Sequence, residues 1–323
     1  MKVFPGTRFS LARRVAAVAA VVPLLLMAAA CGGGSDTFQS GSGGGGKGQV
    51  VIAGQDYTEM KIMSAMYAAL LEKAGYSTTI KTVTTRDVYG PSLSSGKVDV
   101  VADYASSMTE YLNLAINGPD APPAASPDIN KTMAALEKLG KQKGITPLKP
   151  AKAQDANAFA VTKKFSQANH VTTTSQLAAR GKPIVLAAAP DCPQREDCKL
   201  GLEKVYGLKI SKFEPLGFGT VQTKDALKSG EVNLGQVGTS DGSLKQNGLV
   251  VLQDDKHLQN AENLVPVVNT RFLDKHQDLR GILDKLSGVL TTEDLKTLNA
   301  KVDVQRQLPE DVAKQYLQQK GLL

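Results

Sequence analysis

Few residues in this chain have chemistry to offer beyond packing. His170, His257 and His276 are scattered, and no HExxH, GxSxG or paired CxxC motif occurs. Neither a metal centre, a cofactor nor a nucleophilic enzyme is expected from them. Asp56 and Glu59 are neighbouring acids, but they open a predicted helix, where acids complement the dipole. Cys192 and Cys198 bound the segment CPQREDC. In an exported chain that spacing reads as a local disulfide, whereas a metal would want further ligands close by. So small a loop adds little entropic stabilisation, and its task is to fix the shape of one segment. Gly41, Gly46 and Lys47 match the phosphate-loop spacing. Gly48 stands where Ser or Thr must hold the metal, and the stretch precedes a strand instead of following one, so no phosphate site is expected.

The third cysteine, Cys31, has informative flanks. Before it lie Lys2, Arg8, Arg13 and Arg14, no acid, an apolar run from Val15 to Met27, and Ala28-Ala29-Ala30. A basic start, an apolar stretch and small residues before the cut predict a secretory signal over 1–30. A cysteine at the cut resembles the lipobox of bacterial lipoproteins, with Ala28 in place of the usual Leu. The resemblance implies that Cys31 carries a diacylglycerol and that the mature chain is tethered to the outer face of the cell membrane. Residues 31–48 would form a Gly/Ser tether reaching about 20–25 Å on average. The apolar run is shorter than the ~20 residues of a membrane span.

Removing 30 of 323 residues leaves 293, enough for two domains or one large one. Four of the positive residues lie in the signal, so the formal +7 of the whole chain becomes +3. With no basic cluster either, nucleic acid is not an expected partner.

From Gln49 the pattern alternates between period 2 and period 3.6. QVVIA, TTIKTV, VDVVA, FAVT, PIVLAAA, KFEPLGF and VNLGQVG read as strands. Helices are predicted at 58–73, 87–95, 131–143, 175–179, 200–206 and 223–229. Such alternation predicts α/β architecture with parallel sheets. After Asn269 the pattern gives three or four helices and no strand. One unit occurs twice: Ser92-Leu-Ser-Ser-Gly-Lys-Val-Asp-Val and Ala226-Leu-Lys-Ser-Gly-Glu-Val-Asn-Leu. Each is a helix end, a capping glycine and a strand start, which predicts two similar lobes. Ligands of such sheets sit beyond the carboxyl ends of the strands, near Asp103-Tyr104 and Gly238-Thr239-Ser240-Asp241.

GQDYTEMKIMSAMYAALLEKAGY, SGKVDVVADY, QDANAFAVTKKF, PDCPQREDCKLGLEKVYGL, NLVPVVN and LTTEDLKTLNAKVDV occur in order along the chain. This set resembles the solute-binding lipoproteins of osmoprotectant ABC importers, which take glycine betaine, choline, carnitine and similar solutes. The resemblance implies the type II periplasmic binding protein fold: two Rossmann-like lobes, two hinge crossings and one cleft. It places lobe 1 at 49–161 plus 263–323, with the C-terminal helices on it, and lobe 2 at 162–262. AFAVT and LVPVV would be the hinge strands.

A betaine carboxylate wants oriented N–H donors, which a helix N-terminus supplies. Thr58 is the predicted N-cap, with Gln55 and Tyr57 beside it. A trimethylammonium group wants aromatic faces. Tyr104 matches one cage tyrosine of the family, while Asp87, Asn157 and Gly238 stand where aromatic-cage members carry tyrosines. Asp87, Asp103 and Asp241 offer charge instead, and Asn157, Thr239 and Asp241 polar closure. Tyr57 and Tyr89 stand near enough to supply an aromatic face in place of those tyrosines; packing is the other role open to both, and the one that Tyr89 fits better. The expected protein is a monomeric, non-enzymatic solute receptor that serves an ABC permease and its ATPase subunits. The alternatives are a different solute class, such as an amino acid or a polar or polyphenolic compound, and a sensor without transport.

Overall fold

The computed structural model describes residues 46–323. The predicted signal, Cys31 and all but the last three tether residues lie outside the described residues.

The first half runs β1 (Gln49–Gln55), α1 (Thr58–Lys73), β2 (Ser77–Val83), α2 (Arg86–Ser95), β3 (Val100–Tyr104), α3 (Ala105–Asn117), α4 (Ile129–Lys143) and β4 (Ile145–Pro147). The second runs β5 (Asn157–Thr162), α5 (Lys163–Asn169), α6 (Thr174–Ala179), β6 (Pro183–Ala187), α7 (Lys199–Tyr206), β7 (Lys209–Glu214), α8 (Val221–Ser229), β8 (Leu234–Gly238) and β9 (Leu249–Leu252). The chain then returns through β10 (Leu264–Asn269) and ends in α9 (Thr270–Lys275), α10 (Asp278–Val289), α11 (Thr292–Asp303) and α12 (Pro309–Gln319).

Two five-stranded sheets result, in the orders β2-β1-β3-β10-β4 and β7-β6-β8-β5-β9. The two orders match strand for strand. Both sheets are mixed, not parallel throughout: β10 lies antiparallel to β3 and β4, and β5 antiparallel to β8 and β9. Those two strands enter from the opposite lobe, so their direction is set by where the chain crosses. α10, α11 and α12 pack with α1 on the first sheet, through Leu283, Leu295, Val312 and Leu317, all fully buried. At about 1.5–3 kcal/mol per buried aliphatic side chain, this returning segment is a large part of lobe 1 stability.

The repeated unit is structural. α2 ends at Gly96 (φ 80°) and α8 at Gly230 (φ 81°), both left-handed, where a Cβ would be strained. Asp99 then accepts a hydrogen bond from the Val51 N–H at 2.8 Å. Asn233, at the same position of the second copy, accepts from the Val185 N–H at 2.9 Å. In each lobe one side chain ties the incoming strand to its neighbour.

The crossings lie at 148–156 and 253–263. AFAVT itself pairs wholly within the second sheet and LVPVV within the first. A boundary at 161 therefore counts β5 into the wrong sheet, because its composition is that of any buried strand. The two crossings pair with each other: Asp155 N–H donates to the Glu262 carbonyl at 3.1 Å, and Leu264 N–H to the Ala153 carbonyl at 2.9 Å. Cys192 and Cys198 form a disulfide inside the second lobe's core. Lys47, the lysine of the phosphate-loop spacing, pairs instead with Asp278 at 2.5 Å.

Candidate functional site

The carboxyl ends of β1, β3 and β8 face the space between the lobes, which holds two adjoining cavities. One, of about 330 Å³, is lined by Gln55, Tyr57, Arg86, Tyr104, Asp155 and Asn157 among others. The second, of about 390 Å³, is lined by Tyr57, Thr58, Glu59, Asp155, Phe218, Asp241 and Asn299 among others.

A chain of hydrogen bonds runs from the cleft wall across to the other lobe. The Tyr57 hydroxyl donates to the Tyr104 hydroxyl at 3.2 Å, and Tyr104 donates to Glu59. The Asn299 amide donates to Glu59 Oε2 at 2.7 Å and to the Ser240 carbonyl at 3.1 Å. Glu59 and Asn299 are buried in lobe 1, and Ser240 belongs to the loop after β8. Burial raises the Glu59 carboxyl to about 7, with the charge of Asp155 adding to it. Glu262 is likewise held at about 7, chiefly by burial. Burial also raises Asp155, which accepts a hydrogen bond from the Ser240 N–H at 3.2 Å.

The sequence-predicted residues are placed as follows. Gln55, Tyr57, Tyr104 and Asn157 share one cavity, and Tyr57, Thr58 and Asp241 the other. The N-cap of α1 is Tyr57, not Thr58. Thr58 is the first helical residue, and its hydroxyl donates to Asp303 at 2.5 Å. Asp87 is solvent-exposed and lines neither cavity. Its neighbour Arg86 faces in, as expected when successive helical residues point about 100° apart. Asp103 is not free to attract a cation, because Arg86 grips it through Nε at 2.9 Å and a terminal nitrogen at 2.6 Å. Asp241 is likewise paired, with Lys224 at 2.6 Å. Thr239 braces the crossing: its hydroxyl accepts from the Ala156 N–H at 2.9 Å and donates to the Gln154 carbonyl at 3.1 Å. It lines a third cavity, of about 410 Å³, which shares Ala156, Asn157, Gln259 and Asn260 with the first. Asn157 donates to Asp197 at 2.8 Å, inside the loop closed by the disulfide. That loop also presents Arg195, paired with Asp197 at 2.5 Å, so the disulfide fixes a wall of the cleft. Tyr89 is packed, buried against Asp103.

Sequence reasoning missed Arg86, Asp155, Glu262 and Asn299. Gly238 and Asp155 explain each other: a Cβ at Gly238 would sit 2.7 Å from Asp155 Oδ1 and 3.4 Å from Phe218 Cζ. The space at that position is filled by an acid and a phenyl ring arriving from elsewhere in the chain.

Phenols, carboxyls and amides from both lobes line this cleft, groups suited to holding a small molecule between two bodies. Residues 48–319 match the family described as the substrate binding domain of ABC-type glycine betaine transport systems. A glycine-betaine-binding protein of Pseudomonas aeruginosa is 30% identical, over 84% of this chain and 88% of that protein. The fold is that of the crystal structure of a glycine betaine/carnitine/choline ABC transporter protein, with TM-score 0.76 at 24% identity over 85% of this chain and 98% of that one. Apo YehZ from Escherichia coli superposes with TM-score 0.71 at 25% identity, over 85% and 99%.

Proposed function

This chain belongs to the substrate-binding family of ABC-type glycine betaine transport systems, whose members bind solutes and are not enzymes, and from that premise we propose what it binds and where. The solute is a small osmoprotectant of the quaternary ammonium class, such as glycine betaine or choline. It lies in the paired cavities between the lobes, divided near the crossings at 148–156 and 253–263. Tyr57 and Tyr104 offer ring faces and phenol oxygens to the ammonium end. Gln55 and Thr58 meet the polar end, with Asn157 closing from lobe 2. A solute that touches both lobes favours the closed form by its greater affinity for it. The closed protein then delivers its solute to a permease driven by ATPase subunits. A diacylglycerol on Cys31 holds the monomer at the outer face of the cell membrane.

The observation that carries this reading is the Tyr57–Tyr104 pair in a cleft whose far wall belongs to the other lobe. A thermal-shift panel of glycine betaine, choline, carnitine, ectoine and amino acids tests it. A quaternary ammonium compound at 100 times its dissociation constant adds about 2.7 kcal/mol of stability. A panel in which only an amino acid or ectoine raises the melting point would refute the assignment and leave the two-lobed receptor standing.

A further inference from the structure

The charges lining the cleft do not balance. Its three basic side chains are all engaged: Arg86 with Asp103, Arg195 with Asp191 and Asp197, and Lys224 with Asp241. Glu59, Asp155 and Glu262 line the same space, and none of the ion pairs among the described residues reaches them. Glu59 and Glu262 are satisfied by hydrogen bonds, from Tyr104 and Asn299 and from Ser107 respectively. Asp155, on the crossing between the lobes, accepts from the Ser240 N–H on one oxygen. A carboxylate taken out of water without a cation is costly, and a positive partner relieves that cost.

Carboxyls in the cleft without a cation ask for N–H, O–H or positive charge from the solute. Nothing among the lining bases is free to receive a carboxylate.

We infer that the cleft takes a solute of net positive charge, an ammonium compound whose other end is a hydroxyl or amine and not a carboxylate, with Asp155 as its counter-charge. This rests on the reading of the cleft as the solute site and narrows the solute class. Tyr57 and Phe218 flank the position from opposite lobes and suit an alkylated ammonium group.

Choline and glycine betaine share the trimethylammonium group and differ at the other end, so titration calorimetry with both on the purified protein isolates the point. Choline is expected to bind at least tenfold more tightly. Asp155→Asn, which keeps an acceptor for Ser240, is expected to weaken choline at least tenfold and to shrink the choline-to-betaine ratio. Betaine binding as tightly as choline, or a ratio unchanged in Asp155→Asn, would overturn the inference and leave the transport reading intact. Binding of no quaternary ammonium compound at all would overturn both. The wild-type ratio decides even if the variant folds poorly.

Discussion

Asn299 and Ser240 meet across the two lobes, the Asn299 amide on α11 donating to the Ser240 carbonyl at 3.1 Å in the loop after β8. The same amide holds Glu59, which holds Tyr104, so a cleft-lining tyrosine and the lobe contact are two ends of one hydrogen-bonded chain. Asn299→Ala removes the middle of that chain and leaves buried Glu59 short of a donor. An unmade buried hydrogen bond costs about 1–3 kcal/mol. Solute affinity should fall at least tenfold by calorimetry; unchanged affinity would mean that the chain is mere scaffolding.

Gly242 lies against α11 so closely that a Cβ would sit 2.4 Å from the Ala300 nitrogen and 2.5 Å from the Lys296 carbonyl. Both are backbone atoms of a helix and cannot step aside. Gly242→Ala should hold the lobes apart, weakening solute binding at least tenfold while leaving the melting point without solute within a few degrees. A large fall in that melting point would show the contact to be structural instead.

Arg86→Ala should be the most damaging single change near the cleft. It leaves Asp103, 1% exposed at the end of β3, without its cation. Breaking a buried pair in this way costs about 3–5 kcal/mol. Urea unfolding of the variant measures it, and a loss below 1 kcal/mol would contradict the role assigned to the pair.

Glu59 and Glu262 give opposite pH trends for stability and for binding. Burial raises both folded carboxyls to about 7 from an ordinary 4.5. Between those values the folded protein keeps protons that the unfolded chain has lost, so stability without solute should fall as pH rises through that window. The upper limit is about 3 kcal/mol per group. A cation prefers the ionised carboxylates, so its affinity should rise between pH 5 and 7.5, with protons released on binding. Unfolding curves and calorimetry in buffers of different ionisation enthalpy check both signs; parallel trends would contradict this account of the acids.

Much of the fold was legible because periodicity is a local property. The strand and helix alternation, the helical C-terminal segment and the repeated helix–glycine–strand unit can each be found within a dozen neighbouring residues. The direction of β5 and β10 cannot, since Phe159 and Val267 belong to strands of ordinary apolar composition whose sense depends on the lobe crossing. Charge was the least legible quantity. Asp103 and Asp241 look like cation sites in the sequence and are cancelled by Arg86 and Lys224, while Asp155 reads as one more loop acid. Glu59 and Asn299 are 240 positions apart, and nothing local announces that they touch.

The proposed anchor has its own test. Cys31→Ala should move the protein from the membrane fraction to the soluble exported fraction and abolish incorporation of labelled fatty acid. Retention on the membrane with no label lost would remove Cys31 from the account.

In the proposed function a quaternary ammonium solute is held between two lobes and draws them together. Spin labels at exposed Val88 on α2 and exposed Val221 on α8 place one reporter on each lobe. Pulsed dipolar spectroscopy then reads their separation with and without solute. A single, shorter and narrower distance distribution is expected when a quaternary ammonium compound is bound. A distribution unchanged by every such compound that raises the melting point would contradict it.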